Sequence, residues 1–145
     1  LVLVSPYGLW NDEVQLPDPF AMAPDRMRQA KWHDPENAPV PEPSIFEAEA
    51  DDAFGEILFR TQNLSVATQF LWPIADHGLD KRLPLIEAPA LLVQGESDGL
   101  VPPAYADEFA RRIPNAAVAR IPGAAHLPMV EREEDFLRVV KEFLR

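Results

Sequence analysis

The chain opens on four apolar residues, Leu1-Val2-Leu3-Val4, stopped by Ser5-Pro6-Tyr7-Gly8. A short all-apolar run without polar alternation suits a strand of a parallel sheet that is covered on both faces. Two more strands are predicted towards the other end, over residues 88–94 and 116–121. Pro89 falls at the start of the first of these, where a missing N–H is tolerated. Between them a proline-opened helix is predicted over residues 103–113, with Tyr105, Phe109 and Ile113 along one face. A last helix is expected over residues 131–144, burying Phe136, Val139, Val140, Phe143 and Leu144. A helix between two strands supplies the length that a parallel crossover needs, so the predicted class is α/β with a parallel sheet.

Residues 9–80 have a different texture. Prolines punctuate the stretch from 17 to 43, and Pro24 stands where a first helical turn can begin, ahead of Asp25-Arg26-Met27-Arg28-Gln29-Ala30. Ser44 is a plausible N-cap with Glu47 three positions on, as in a capping box. Phe54, Ile57, Leu58, Leu64, Ala67, Phe70 and Leu71 then recur at helical steps, with Asn63 or Ser65 expected to divide two helices. The predicted organisation is therefore a core strand at 1–8, an inserted and mostly helical cap at 9–80, and core again at 81–145.

Net charge changes the list of partners. The formal value is -11, and the first 80 residues carry 14 acidic against 4 basic side chains. Such a field repels nucleic acid and anionic membrane surfaces, so neither is an expected partner; a small-molecule substrate is. No window approaches an uninterrupted apolar span of about 18 residues. The absence of cysteine excludes a disulfide framework and a thiolate nucleophile. The N-terminus lacks a basic region and a cleavage signal, which makes the cytoplasm the expected location, and it reads as a strand whose preceding chain has been removed. Three core strands without earlier neighbours are expected to self-associate if expressed alone.

Candidate chemistry lies in two loops that leave strand ends, where ligands of open α/β sheets gather. The first, Gly95-Glu96-Ser97-Asp98-Gly99, holds Glu96 and Asp98; the second, Pro122-Gly123-Ala124-Ala125-His126-Leu127-Pro128, holds His126. If the strands are neighbours, Asp98 can meet His126. An imidazole acts as a general base only in the right tautomer, and a carboxylate on its other nitrogen fixes that tautomer.

The segment Leu91-Leu92-Val93-Gln94-Gly95-Glu96-Ser97-Asp98-Gly99-Leu100-Val101-Pro102 resembles the acid-residue loop of the α/β-hydrolase superfamily. Gly123-Ala124-Ala125-His126-Leu127-Pro128-Met129-Val130-Glu131 is similar to its histidine loop and the start of its last helix. On that resemblance Asp98 matches the triad acid and His126 the general base, and residues 9–80 take the place of the cap domain. The cap and the 99–102 loop look like those of meta-cleavage-product hydrolases and small esterases. The resemblance implies hydrolysis of carboxylic esters or activated carbon–carbon bonds through a serine, with no cofactor. That serine normally sits in Gly-x-Ser-x-Gly on a strand-to-helix turn. No such motif occurs here: Ser5 precedes Pro6 and lacks the glycine, and Ser97 reads as a turn residue. Nucleophile and oxyanion donors are expected in a preceding part of the same protein, which leaves residues 1–145 inactive by themselves.

Other side chains have weaker meanings. Trp72, Leu100, Leu127 and Met129 are candidate walls of a substrate cleft, with ordinary packing as the alternative. Glu131 is expected at the start of the last helix, where exposed N–H groups favour a carboxylate and where it can also fix the histidine loop. His33 is expected to be exposed or to bond locally. His77, between Asp76 and Asp80, offers no ligand spacing that points to a metal. Two other functions fit the same acid and base: halide displacement by an aspartate nucleophile, as in haloalkane dehalogenases, and a noncatalytic ligand-binding scaffold.

Overall fold

The computed structural model describes residues 1–38, 53–72 and 78–145. Three strands, β1 (Val2–Val4), β2 (Ala90–Gly95) and β3 (Ala116–Ile121), form one parallel sheet in the order β1-β2-β3. Val2, Leu3 and Val4 lie opposite Leu91, Leu92 and Val93, and β2 pairs with β3 from Ala90 opposite Ala116 to Gly95 opposite Ile121. Every residue of β2 is buried. That is why the run carries no polar alternation: each face of the central strand meets its own apolar layer.

Side-chain alternation along β2 divides the core in two. Ala90 and Leu92 join Tyr105, Ala106, Phe109 and Ile113 of the crossover helix, together with Val101 and Leu83. Leu91 and Val93 face the other way, against Ile121, Ala124 and the stripe Phe136, Val139, Val140 and Phe143. The crossover helix spans Ala104–Arg112, within a residue of each expected end, and the closing helix occupies the opposite face.

Helices are numbered in chain order: α1 Pro24–Lys31, α2 Ala53–Leu71, α3 Leu79–Arg82, α4 Ala104–Arg112, α5 Pro128–Glu131 and α6 Glu133–Phe143. Two expectations are corrected here. The closing segment is not one helix, because Arg132, at φ -138 and ψ 58, leaves helical geometry and separates α5 from α6. Glu131 thus ends a single turn and does not begin the long helix. In the middle region α2 runs unbroken through Asn63 and Ser65. Each of these costs at most about 0.7 kcal/mol relative to alanine, too little to stop a helix of this length. Its less exposed side is Leu64, Ala67, Thr68 and Leu71, whereas Phe70 is 76% exposed. The expected Ser44–Glu47 capping box lies outside the described residues.

Leu9 and Leu16, at the start of the stretch expected as the cap, are buried in the core beside Tyr105. Their polar neighbours are tied down: the Tyr105 hydroxyl donates to the Val14 carbonyl at 2.7 Å and accepts from the Asn11 N–H at 3.1 Å. Asn11 Nδ2 also donates to Glu108 on α4 at 3.0 Å. Tyr7 packs against the same cluster with a buried hydroxyl that has no partner among the described residues.

Burial, reinforced by Asp18 and Tyr105, pushes the Tyr7 phenol from 10.0 up to about 12. Burial also raises Tyr105. A phenol whose value is raised on folding contributes stability that is complete below its unfolded value and is lost as pH climbs through the folded one. The fold is expected to weaken between pH 10 and pH 12. Tyr7→Phe should keep more of its stability across that window, as circular dichroism melts at stepped pH will show; parallel losses in both proteins would refute the assignment.

Candidate active site

Parallel strands put their carboxyl ends on one side, and the loops after β2 and β3 leave from paired residues, Gly95 and Ile121. The loops then lie against each other: Glu96 N–H donates to the Ile121 carbonyl at 3.2 Å and Ser97 N–H to the Ala124 carbonyl at 3.0 Å. Gly95 makes that approach possible. A Cβ built there would stand 2.0 Å from the Ala125 carbonyl oxygen, a distance no side chain can occupy. Gly123, at φ 68, turns the chain after β3 in the left-handed region that favours glycine.

These two loops bring the predicted pair together. His126 Nδ1 lies 3.0 Å from Asp98 Oδ2. The Asp98 side chain is 0% exposed, and that of His126 is 28% exposed. An ionised carboxylate only accepts, so Nδ1 carries the ring proton and donates it, leaving the lone pair of Nε2 as the basic position. The rest of the carboxylate is fully engaged. Oδ1 accepts the N–H groups of Leu100 and Val101, both at 2.9 Å, and Oδ2 also accepts Nε2 of Gln94 at 2.9 Å. Four donors make a buried charge tolerable and leave its plane no freedom to rotate.

Gln94 escaped the reading of the sequence. It is completely buried, and the same nitrogen also reaches the Val101 carbonyl at 3.0 Å, closing the loop around Asp98. Its signal was present: one amide at the end of an apolar run, in a strand with no polar face to put it on. His33 is exposed, but its hydrogen bonding is not local. Its Nδ1 is 2.7 Å from Ser97 Oγ, and its N–H donates to Glu131 Oε1 at 2.7 Å. Glu131 Oε2 takes the Ala125 N–H at 2.7 Å, so the carboxylate serves the loop behind it instead of a helix start.

The expected cleft residues differ in exposure. Leu100, Leu127 and Met129 are half-buried next to Asp98 or His126 along the chain. Trp72 is 54% exposed and packs edge-on against Phe20, with ring centroids 6.4 Å apart. Ser5 ends β1 at φ 42, and its buried Oγ has no partner among the described residues. Asp80 binds Arg112, while His77 lies outside the described residues. Among those residues no helix is long and apolar enough to cross a membrane.

The family model described as "alpha/beta hydrolase fold" matches residues 4–133. The chain belongs to the α/β-hydrolase fold family. Among curated proteins, the chain is 33% identical over 63 residues to the serine hydrolase BPHL of Mus musculus, a match that takes in 43% of the chain and 22% of the mouse protein. Among solved structures, it aligns over 99% of its length with a thermophilic esterase, at 23% identity and a TM-score of 0.65. A meta-cleavage product hydrolase from Pseudomonas fluorescens IP01 aligns over the same share at 15% identity and a TM-score of 0.64. At those identities the two structures establish the fold alone. The chain spans about half of each, 54% in both cases.

The hydrogen-bond pattern makes opposite demands on the two side chains. Asp98→Ala strands two backbone donors and the Gln94 amide in the interior, at about 1–3 kcal/mol each. His126→Ala gives up one hydrogen bond at a half-exposed side chain, about 1 kcal/mol. Urea unfolding should therefore place Asp98→Ala several kcal/mol below the parent and His126→Ala close to it. Equal losses would contradict the bonding pattern described.

Proposed function

We propose that this hydrolase cleaves carboxylic esters, or activated carbon–carbon bonds of ketones, by Ser-His-Asp covalent catalysis. The observation that carries this reading is the 3.0 Å contact from His126 Nδ1 to a buried, four-donor carboxylate, which leaves Nε2 as the basic position of a partly exposed ring. The printed name of the mouse relative, a serine hydrolase, supports serine over aspartate as the nucleophile.

In this reading the nucleophile and the oxyanion donors come from a preceding segment of the same protein, consistent with a chain that spans about half of the structures it matches. The serine hydroxyl adds to the substrate carbonyl carbon as Nε2 of His126 takes its proton. That proton passes to the leaving oxygen or carbon when its bond to the carbonyl breaks, and an acyl-serine remains. Nε2 then takes a proton from water, the hydroxide attacks the acyl carbon, and the proton returns to the serine oxygen as the acid leaves. Asp98 stays ionised throughout. Its work is to hold the ring and to stabilise the imidazolium while the positive charge lasts. Leu100, Leu127 and Met129, near the pair along the chain and half-buried, are proposed to line the acyl or leaving-group cleft together with Trp72.

The test uses the protein with the segment that precedes Leu1, assayed with short nitrophenyl esters, with a vinylogous diketo acid and with a fluorophosphonate probe. Turnover of at least one substrate and labelling of one serine are expected, and His126→Ala should lower kcat by at least about a thousandfold. Residues 1–145 alone should turn over neither. Absence of labelling, or a His126→Ala protein as active as the parent, would sink the proposal.

A further inference from the structure

We propose that Glu131 is a positioning residue for the Asp98–His126 pair, acting through a backbone tie formed by residues 30–33. The inference rests on the hydrolase reading above, but its evidence is separate.

Consecutive carbonyls of the tie hold both loops. The Ala30 carbonyl accepts the N–H of Gly99, the residue after the acid, at 2.9 Å. The Lys31 carbonyl accepts the N–H of His126 itself at 3.0 Å. One peptide unit separates these acceptors, and its dimensions are covalently fixed. The spacing between the acid loop and the base loop is thus copied from a rigid template and does not depend on side chains alone. Gly99 admits the template, since a Cβ there would fall 2.8 Å from the Ala30 Cα.

A tie needs an anchor. At the end of α1 the chain turns extended at Trp32, with φ -116 and ψ 140, and the next N–H, that of His33, points to Glu131. The other oxygen of that carboxylate takes the N–H of Ala125, the residue just before the base. Both contacts are 2.7 Å, the short distance of charge-assisted hydrogen bonds. One carboxylate therefore clamps the tie to the histidine loop on the side opposite the Lys31 contact. The chain is thus held at the N–H of His126 itself and at that of the residue before it.

The mechanism makes no use of Glu131 as an acid or base, and its oxygens are turned to backbone amides. Its effect is to reduce the freedom of His126 to leave Asp98. Two variants break the clamp from opposite ends. Glu131→Gln keeps one acceptor and places an NH2 group against the other N–H. His33→Pro removes the N–H that Glu131 accepts, together with the imidazole that meets Ser97, and Trp32 already has the extended conformation that a following proline requires. Ser97→Ala removes the partner of the His33 imidazole and leaves both bonds to Glu131 in place.

The experiment is NMR on the intact protein, including the segment before Leu1. It reads the low-field resonance of the His126 Nδ1 proton and amide exchange at Gly99, His126 and, as a sheet reference, Leu92. Glu131→Gln and His33→Pro should each broaden the Nδ1 proton and speed exchange at Gly99 and His126 by roughly tenfold to a hundredfold, with Leu92 unchanged. Ser97→Ala should change neither. An unchanged Nδ1 proton in both variants overturns the inference. So does a rise at Leu92 in step with the loops, which would mark a general loss of stability, and so does a Ser97→Ala protein that behaves like the other two. None of these readouts needs turnover, so an inactive protein with a loosened pair counts against the hydrolase reading and leaves the tie standing.

Discussion

A carboxylate cut off from water has to be surrounded by donors, and most of the geometry around Asp98 follows from that requirement. Its side chain has no exposed surface, and four N–H groups converge on two oxygens. Three of the four come from the strand and loop that deliver the acid, so β2 and residues 99–101 fold as one unit around the charge. The fourth comes from His126, twenty-eight residues on. The interaction that fixes the imidazole is also the one that completes the solvation of the acid. Removing either partner therefore has unequal consequences, because only one of them is deep in the interior.

The parallel sheet prepares that meeting. Adjacent strands running the same way release their loops at one edge, and the crossover helix α4 spends its length on the far side of β2 with its apolar face inward. Gly95 lets the loops close until backbone touches backbone. Ala124 and Ala125 are fully buried in that contact, where larger side chains would hold the loops apart. The small residues around His126 thus serve the approach of two chains as much as access to the ring.

The region that separates β1 from β2 in the chain does more than cover the sheet. Leu9 and Leu16 complete the core beneath α4, and the end of α1 ties the loops of Asp98 and His126. The insertion between β1 and β2 therefore also takes part in holding the loops of Asp98 and His126. Changes in residues 30–33 can reach Asp98 and His126 through the backbone hydrogen bonds at Gly99 and His126.

Most of the fold and the meeting of Asp98 with His126 were legible in the chain itself. The apolar run at 91–93, the stripe at Tyr105, Phe109 and Ile113, and the loops with Asp98 and His126 each carry a local signal, because a buried strand and an amphipathic helix are written in the spacing of neighbouring residues. What stayed hidden depends on hydrogen bonds that follow no period along the chain. Gln94 reads as a stray polar residue until Asp98 is seen to need its amide; Glu131 reads as a helix start until Arg132 breaks the helix and turns the carboxylate back. The continuity of α2 through Asn63 and Ser65 was likewise a matter of small propensities outweighed by length. Sequence alone determined which elements form and which loops carry Asp98 and His126, since those depend on local periodicity. Only the tertiary structure decided what holds that pair together, because hydrogen bonds between residues sixty to a hundred positions apart leave no pattern along the chain.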